Sequence, residues 1–203
     1  MKSLREKRFE QKKVEILKSA ASAFRKKGFH GTSMDEISDR LLMTKGSLYY
    51  YFKNKEDLLY ACHDYSLNRL LQTLGEIEKD GTSLEERLHR LIVNHVRHLI
   101  DELHASAMTI ELNGLSPDLR TKLIKKRDRY EREFRKIIQE GMEKGIFEKG
   151  DPKLITFAIM GALNWIARWY SPEGVAKSER IGEVFSDFFI RGLLKKIQSA
   201  KSD

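Results

Sequence analysis

The stretch GFHGTSMDEISDRLLMTKGSLYYYFKNKEDLL, residues 28–59, predicts two short helices on either side of a tight turn. Ser33 and Glu36 have the spacing of a capping box, so the first short helix is expected to begin there. Thr44 is a good N-cap for the second helix, which carries three consecutive tyrosines. Two short helices that cross steeply through a turn of about three or four residues form a helix-turn-helix motif.

The second short helix offers a surface that suits DNA. If it starts after Thr44, Leu48 and Phe52 share an inward face. The side chains left to point outward or forward are Lys45, Gly46, Ser47, Tyr49 and Tyr50. Tyrosine hydroxyls can donate hydrogen bonds to phosphates, and the rings can contact sugars or thymine methyls. Lys55 opens the next helix, where a free backbone N–H and a cation can share one phosphate.

The charge distribution favours the same partner. The chain has 203 residues and a formal net charge of +8. Residues 1–60 carry 14 Lys and Arg against 8 Asp and Glu, whereas residues 61–203 carry 24 against 22. A local basic excess indicates a polyanion, most often a nucleic acid. A solvated helix with spare lysines would give the same composition, so charge alone leaves both explanations open.

Outside the motif, helical spacing is found throughout the chain and strand signals are almost absent. Further helices are expected at about 5–27, 55–79, 83–100, 104–113, 117–144, 152–170 and 178–197. With the two short helices, these make an all-α fold of about nine helices. We expect an N-terminal three-helix helix-turn-helix DNA-binding domain at residues 1–54. Residues 55–203 are expected to form a helical ligand-binding and dimerisation domain.

Several other classes of protein lack their usual signals. There is no G-x-S-x-G, no H-E-x-x-H and no Gly-rich phosphate loop, so neither an enzyme nor a cofactor is expected. No apolar run reaches the roughly 18 residues that a membrane helix needs, so no membrane partner is expected. The single cysteine, Cys62, rules out an internal disulfide and fits a reducing cytoplasm. His95 and His98 have a spacing that can bind metal, but without a third clear ligand a wet helix face is the better interpretation.

Residues 28–59 resemble the DNA-binding domain of the TetR family of bacterial repressors. The motifs that carry the resemblance are Gly28-Phe29, Thr32-Ser33, Ile37, the run KGSLYYYF and the run KNKEDLL. The family usually has Ala-Gly in the turn, where this chain has Leu41-Leu42. Leu42 is therefore expected in a backbone conformation that glycine would prefer.

The resemblance implies roles for individual residues of the motif. Lys45, Gly46, Ser47 and Tyr50 would face bases. Thr32, Ser33, Tyr49, Tyr51 and Lys55 would hold phosphates, next to the cap residue Thr44. For Tyr51 the alternative is packing in the core. The resemblance also implies a homodimeric repressor that binds palindromic double-stranded operator DNA and is released by a small-molecule effector.

The two C-terminal helices predict the dimer contact. The segment PKLITFAIMGALNWIARWY, residues 152–170, is apolar nearly all round and is expected to be buried on several sides. The last helix has a broad apolar face. Two adjacent helices with excess apolar surface predict a two-fold dimer joined as a four-helix bundle. The residues expected at this interface are Ile159, Ile166, Ile181, Val184, Phe185 and Phe188.

Trp165, Arg168 and Trp169 lie three and four positions apart on the same helix. An arginine among tryptophans on an apolar helix is costly to bury unless it meets an anion. The alternative is an internal partner, such as Glu111, or stacking on an indole ring.

The string GALNWIARWYSPEG, followed by a helix ending in FFIRGLL, resembles the TetR branch that responds to acyl-coenzyme A thioesters. The resemblance implies that Arg168 would meet a CoA phosphate and that an apolar cavity would hold the acyl tail. The predicted ligand-binding residues are Arg97, Met108, Ile110, Trp165, Arg168 and Trp169. Two alternatives remain: a multidrug-type sensor of diverse apolar or cationic compounds, and a ligand sensor whose output is another protein.

Overall fold

The computed structural model describes residues 3–79, 81–100, 112–171 and 173–195. Within these ranges the chain is all-α, as predicted. It forms eight α-helices: α1 (Leu4–Lys27), α2 (Met34–Arg40), α3 (Lys45–Tyr51), α4 (Lys55–Lys79), α5 (Leu84–Ile100), α6 (Pro117–Glu143), α7 (Pro152–Trp169) and α8 (Ser178–Leu193). A single 3-10 turn lies at Leu112–Gly114. The helix predicted at about 104–113 falls almost entirely outside the described residues. None of the described helices is long and apolar enough to cross a membrane.

Local side-chain caps explain where most helices begin. Ser3 and Glu6 form a reciprocal capping box at the start of α1. At α2, the Ser33 hydroxyl accepts the backbone N–H of Glu36 at 3.1 Å, while the Glu36 carboxylate pairs with Lys27 at 2.8 Å. Asp151 accepts the N–H groups of the first turn of α7. Because each cap joins groups only two or three residues apart, caps of this kind can be recognised in the local sequence.

The turn between α2 and α3 has the predicted conformation. Leu42 has φ of 50°, and no other described non-glycine residue has a positive φ. Its side chain is 97% exposed, so no packing compensates for the strain of this left-handed backbone. The turn is closed by backbone hydrogen bonds from Leu42 to Asp39 and from Met43 to Ser38. Leu42 therefore occupies a position where glycine would fit with less strain.

The last helix ends at Leu193, earlier than the predicted residue 197. The backbone after it turns extended and pairs with the segment that follows α6. The N–H of Glu148 donates to the carbonyl of Leu193 at 2.7 Å, and the N–H of Lys195 donates to the carbonyl of Ile146 at 3.0 Å. This pairing uses backbone groups that a longer helix would need, so it explains the early end.

The described residues fall into two compact units. The first contains residues 1–69 and 99–127, and the second contains residues 70–98 and 128–203. The core of the first unit includes Ile16, Leu17, Phe24, Ile37, Leu48, Phe52, Leu58, Leu59 and Leu123. The second unit buries, among others, Leu88, Leu91, Ile92, Phe134, Ile137, Ile138, Ile159, Leu163 and Ile166. The domain boundary after residue 54 stays a prediction.

Candidate DNA-binding and effector-binding sites

Helix α3 is held by two buried side chains and one cap. Leu48 and Phe52 are almost completely buried in the first unit. The Thr44 hydroxyl accepts the backbone N–H of Ser47 at 3.1 Å and is also 2.9 Å from the Ser47 hydroxyl. The remaining side chains are exposed, as predicted: Lys45, Gly46, Ser47, Tyr49 and Tyr50. A helix fixed in this way presents a rigid surface to a partner.

The three tyrosines have different surroundings. Tyr49 and Tyr50 are exposed, and Tyr50 has 70% of its surface open to solvent. Tyr51 is half-buried and stacks on Phe9 of α1, with ring centroids 4.8 Å apart. Phe9 also meets the edge of Tyr50 at 5.9 Å. Packing therefore accounts for Tyr51, and a phosphate contact by it stays a prediction. Sequence reasoning missed Phe9, because nothing in the sequence links it to the distant tyrosines.

The first turn of α3 contains a lysine ammonium and, at the next position, a glycine that borders open space. The Lys45 ammonium pairs with the carboxylate of Asp35 on α2 at 2.5 Å. The hydrogen bond that Lys45 donates to Asp35, together with the negative charge of that carboxylate, raises the pKa of Lys45, so the ammonium stays protonated. A Cβ built on Gly46 would meet no protein atom within 4 Å. No internal contact requires a glycine here, so its small size leaves room for an outside partner.

Lys55 and Thr32 make internal contacts that the sequence did not predict. The Lys55 ammonium donates to the carbonyls of Phe29 and Thr32, both at 2.7 Å, and lies 4.4 Å from the centre of the Phe29 ring. The buried Thr32 hydroxyl donates to the carbonyl of Gly28 at 2.9 Å. Both side chains thus fasten the turn between α1 and α2. Since an ammonium has three donors, Lys55 keeps one for a phosphate, and that contact stays a prediction.

The predicted effector residues on α7 lie on its outer face. Trp165, Arg168 and Trp169 are exposed in this chain, and Trp165 is 63% exposed. The expectation that α7 is buried on several sides therefore fails within one chain. Only one side, with Thr156, Ile159, Leu163 and Ile166, enters the core. Arg97 on α5 is also exposed, and Met108 and Ile110 lie outside the described residues.

The predicted interface residues divide into two groups. Ile159, Ile166 and Ile181 are buried inside the second unit, so they belong to its own core. Val184 and Phe188 are exposed, and Phe185 is half-buried. The outward side of α7 also exposes Leu154 and Phe157, which the sequence reasoning missed although they lie three apart on one helical face.

An open groove of about 960 Å³ runs between α7 and α8, lined by Ile155, Ala158, Val184, Phe188 and Phe189 among others.

Comparison with known proteins places the two halves of the chain in one family. The family profile described as bacterial regulatory proteins, tetR family, matches residues 16–62. The profile described as tetracyclin repressor-like, C-terminal domain, matches residues 81–193, more than half of the chain. The chain belongs to the TetR family. It is a TetR-type transcriptional repressor.

Two curated TetR-type relatives span nearly the whole chain. The transcriptional repressor KstR2 of Mycobacterium tuberculosis is 24% identical over 186 residues, covering 90% of this chain and 92% of its own length. The fatty acid metabolism regulator protein of Bacillus subtilis is 24% identical over 180 residues, covering 85% and 93%.

Solved structures show the same TetR fold. PfmR from Thermus thermophilus has 31% identity and a TM-score of 0.80, covering 89% of this chain and 99% of its own. AibR, in a complex with isovaleryl coenzyme A and operator DNA, has 24% identity and a TM-score of 0.76, covering 90% and 97%. The AibR likeness shows the fold alone.

The contacts of His95, His98 and Cys62 are internal to this TetR protein. The predicted wet helix face is wrong for His95, which is buried between the Tyr130 hydroxyl at 3.0 Å and the Asn164 side-chain oxygen at 3.2 Å, and burial lowers its pKa to about 4. His98 lies 3.2 Å from the Thr73 hydroxyl. No group of three potential metal ligands occurs in the described ranges. Cys62 is buried, and burial raises the pKa of its thiol.

Proposed function

We propose that this protein is a homodimeric TetR-type repressor that binds a near-palindromic operator and is released from it by an acyl-CoA thioester. The observation that carries the DNA-binding part is the outer face of α3, where Lys45, Gly46, Ser47, Tyr49 and Tyr50 are exposed together. In this proposal Lys45, Ser47 and Tyr50 read base edges in the major groove. Ser33, Tyr49 and Lys55 position the helix on phosphates. Operator binding would place the protein in the cytoplasm.

A second copy of the chain is the proposed partner of the α7–α8 surface. Leu154, Phe157 and Trp165 form one outward stripe on α7, and Val184 and Phe188 form another on α8. Large exposed apolar patches mark interaction surfaces. A near-palindrome requires two recognition helices about 34 Å apart, which a two-fold dimer supplies. The interface would be isologous, with each copy contributing the same surface.

An acyl-CoA thioester is the proposed effector. Two relatives that cover most of the chain support this class: one is named a fatty acid metabolism regulator, and the other is KstR2, whose structure carries the description of a ketosteroid transcriptional regulator. The AibR complex holds isovaleryl coenzyme A in the same fold. Arg168, exposed between Trp165 and Trp169, is the proposed contact for a CoA phosphate. Effector and DNA would favour different conformations of the protein.

Selection of DNA from a random pool, followed by effector titration, tests the proposal. The purified protein should enrich near-palindromic sites, and fluorescence anisotropy on such a site should fall when the matching acyl-CoA is added. The panel should contain short, long and aromatic acyl-CoAs, coenzyme A, free acids and cationic dyes. Release by dyes alone would favour the multidrug-type sensor instead. No enriched site would contradict the DNA-binding role itself.

Arg168→Ala provides the residue-level test. The variant should lose most of the response to acyl-CoA while keeping its affinity for the selected DNA, because Arg168 is exposed and far in sequence from α3. Arg132→Ala, at an exposed arginine of the second unit that does not line the α7–α8 groove, is the matched control. An unchanged response of Arg168→Ala would remove this residue from the proposed effector site.

A further inference from the structure

The first unit contains buried polar atoms that have no hydrogen-bond partner among the residues the structure describes. His63 and Ser66 on α4 are each about 2% exposed. Within the described part of the chain, neither Nε2 of His63 nor Oγ of Ser66 has a hydrogen-bond partner, and the same is true of Nε of Arg127 on α6. Buried polar atoms are nearly always paired, so three such atoms on two neighbouring helices require an explanation. His63, Ser66 and Arg127 are named the Arg127 cluster below.

The contacts between α4 and α6 bring these residues together. Glu56 accepts the backbone N–H of Ser116, and Lys126 donates to Asp64 and to Asn68. The paired residues are 60, 62 and 58 positions apart, so in this unit the two helices run side by side in the same direction. Ser66 and Arg127 are 61 positions apart, an offset within this range, so they lie at a similar height along the two helices.

The electrostatics of the cluster agree with this arrangement. Burial, and to a smaller extent the charge of Arg127, lowers the pKa of His63 to about 3, so the imidazole is neutral at pH 7. Arg127 itself remains a cation, although burial lowers its pKa as well. The cluster thus combines one guanidinium with a neutral imidazole and a hydroxyl. Each of the three can donate a hydrogen bond.

The neighbouring acid is already satisfied. Asp64 accepts hydrogen bonds from the Tyr60 hydroxyl at 3.1 Å, from the Asn68 amide at 2.8 Å and from Lys126. Among the described residues, no carboxylate forms an ion pair with Arg127. An unpaired guanidinium on a largely buried helix face is costly, and an outside anion would offset that cost.

A second arginine on the inward face of α6 also lacks a full set of partners, which supports an external ligand at this face. Arg120, two turns before Arg127, has an Nε without a partner and only a long contact from Nη2 to the Leu112 carbonyl at 3.5 Å. Leu123, between the two arginines, is completely buried. Glu131, one turn after Arg127, pairs with Arg135 through Oε2 at 3.5 Å, and its buried Oε1 has no hydrogen-bond partner among the described residues. Two arginines therefore share this face with the apolar Leu123 and with one partly paired carboxylate.

We propose that the Arg127 cluster binds an anionic group of the effector, a carboxylate or a phosphate, through the Arg127 guanidinium, the Ser66 hydroxyl and the His63 imidazole. The proposal rests on the proposed function in assuming an anionic effector, and it adds a contact separate from Arg168. Charge-assisted hydrogen bonds of this kind are stronger than neutral ones. The anion would satisfy polar atoms that are unpaired in the protein alone.

Calorimetric titration of the full-length protein tests the proposal, with octanoyl-CoA, coenzyme A and octanoate as probes at one ionic strength. Arg127→Met keeps the apolar stem and removes the charge, and Ser66→Ala removes one donor. We expect Arg127→Met to weaken binding of octanoyl-CoA about 10- to 100-fold and Ser66→Ala to weaken it less. Arg129→Met, at an exposed position of the same helix, should bind as the wild type does. A loss shared with coenzyme A would identify a phosphate, and a loss shared with octanoate would identify a carboxylate.

The melting temperature of the ligand-free variants gives a second, independent readout. If Arg127 waits for an outside anion, removing its unpaired charge should leave the melting temperature unchanged or raise it. A fall of several degrees would show a structural role and overturn the proposal, as would octanoyl-CoA affinity within twofold of wild type in Arg127→Met. If the wild type binds octanoate but no thioester, the acyl-CoA effector fails and the Arg127 cluster stands. If it binds none of the three probes, both proposals fail.

Discussion

Two helices of this protein expose aromatic rings, and they differ in what surrounds those rings. On α3, Tyr49 and Tyr50 carry hydroxyls and lie beside the cation of Lys45. On α7, Phe157 and Trp165 lie on a stripe whose other members are mainly apolar. The first surface can hydrogen-bond phosphates and base edges, whereas the second gains mainly by excluding water. Exposure of aromatic rings therefore indicates a partner, and the neighbouring polar groups indicate which kind.

The largest expected effect comes from placing a charge on the apolar surface. Phe188→Glu should abolish dimer formation. Phe188 is 73% exposed in one chain, and the dimer interface would have to bury the new carboxylate without a partner. We expect the dimer dissociation constant to rise at least about 100-fold. Light scattering would report the 23.7 kDa chain mass in place of about twice that value. Val175→Glu, at a fully exposed loop position, is the control, and a dimeric Phe188→Glu variant would contradict the proposed interface.

The matching change on the polar surface is Tyr50→Ala. It should weaken operator binding by about 1–3 kcal/mol while leaving binding to unrelated duplexes nearly unchanged. Fluorescence anisotropy on the selected site and on a scrambled duplex measures both. Tyr50→Phe separates the hydroxyl from the ring, which also meets Phe9. Equal losses on the two DNAs would show that Tyr50 contacts the backbone and not the bases.

A change at the inner face of α7 should alter the free energy of unfolding and leave dimer formation unchanged. His95 contacts Asn164 of this face, and its pKa is about 4 in the folded protein against 6.5 ordinarily. Below pH 6.5 the unfolded chain binds a proton that the folded chain does not. The free energy of unfolding should therefore fall by about 2 kcal/mol from this residue between pH 7 and pH 5. In His95→Gln that part of the pH dependence should vanish in urea unfolding. An unchanged pH profile would show that His95 is not buried as a neutral imidazole.

The smallest expected effects distinguish the two lysines near α3. Lys45→Ala and Lys55→Ala should each reduce the slope of log affinity against log salt by about 0.9 if each ammonium meets one phosphate. Only Lys55→Ala should also lower the melting temperature, because its ammonium holds two backbone carbonyls. A lowered melting temperature with an unchanged salt slope would assign Lys55 a structural role alone.

The amino-acid sequence by itself determined the helices and the DNA-binding motif. The caps at Ser33, Thr44 and Asp151 join groups two or three residues apart, so their effect is visible in the local sequence. The left-handed backbone of Leu42 was expected from the resemblance to the TetR family, which usually has glycine at this position. The repeated apolar spacing also predicted an all-α fold, because each helix needs one buried face.

Only the tertiary structure decided which way the apolar residues point and which polar residues meet. A helix that is apolar nearly all round has no polar face to mark its outside, so Ile159 and Ile166 proved to be core while Trp165 lies outside. Lys55 binds carbonyls 26 and 23 positions away, and the charge of Arg127 on α6 lowers the pKa of His63 on α4. Contacts between distant parts of the chain leave no periodic trace in the sequence, since they depend on how whole helices pack.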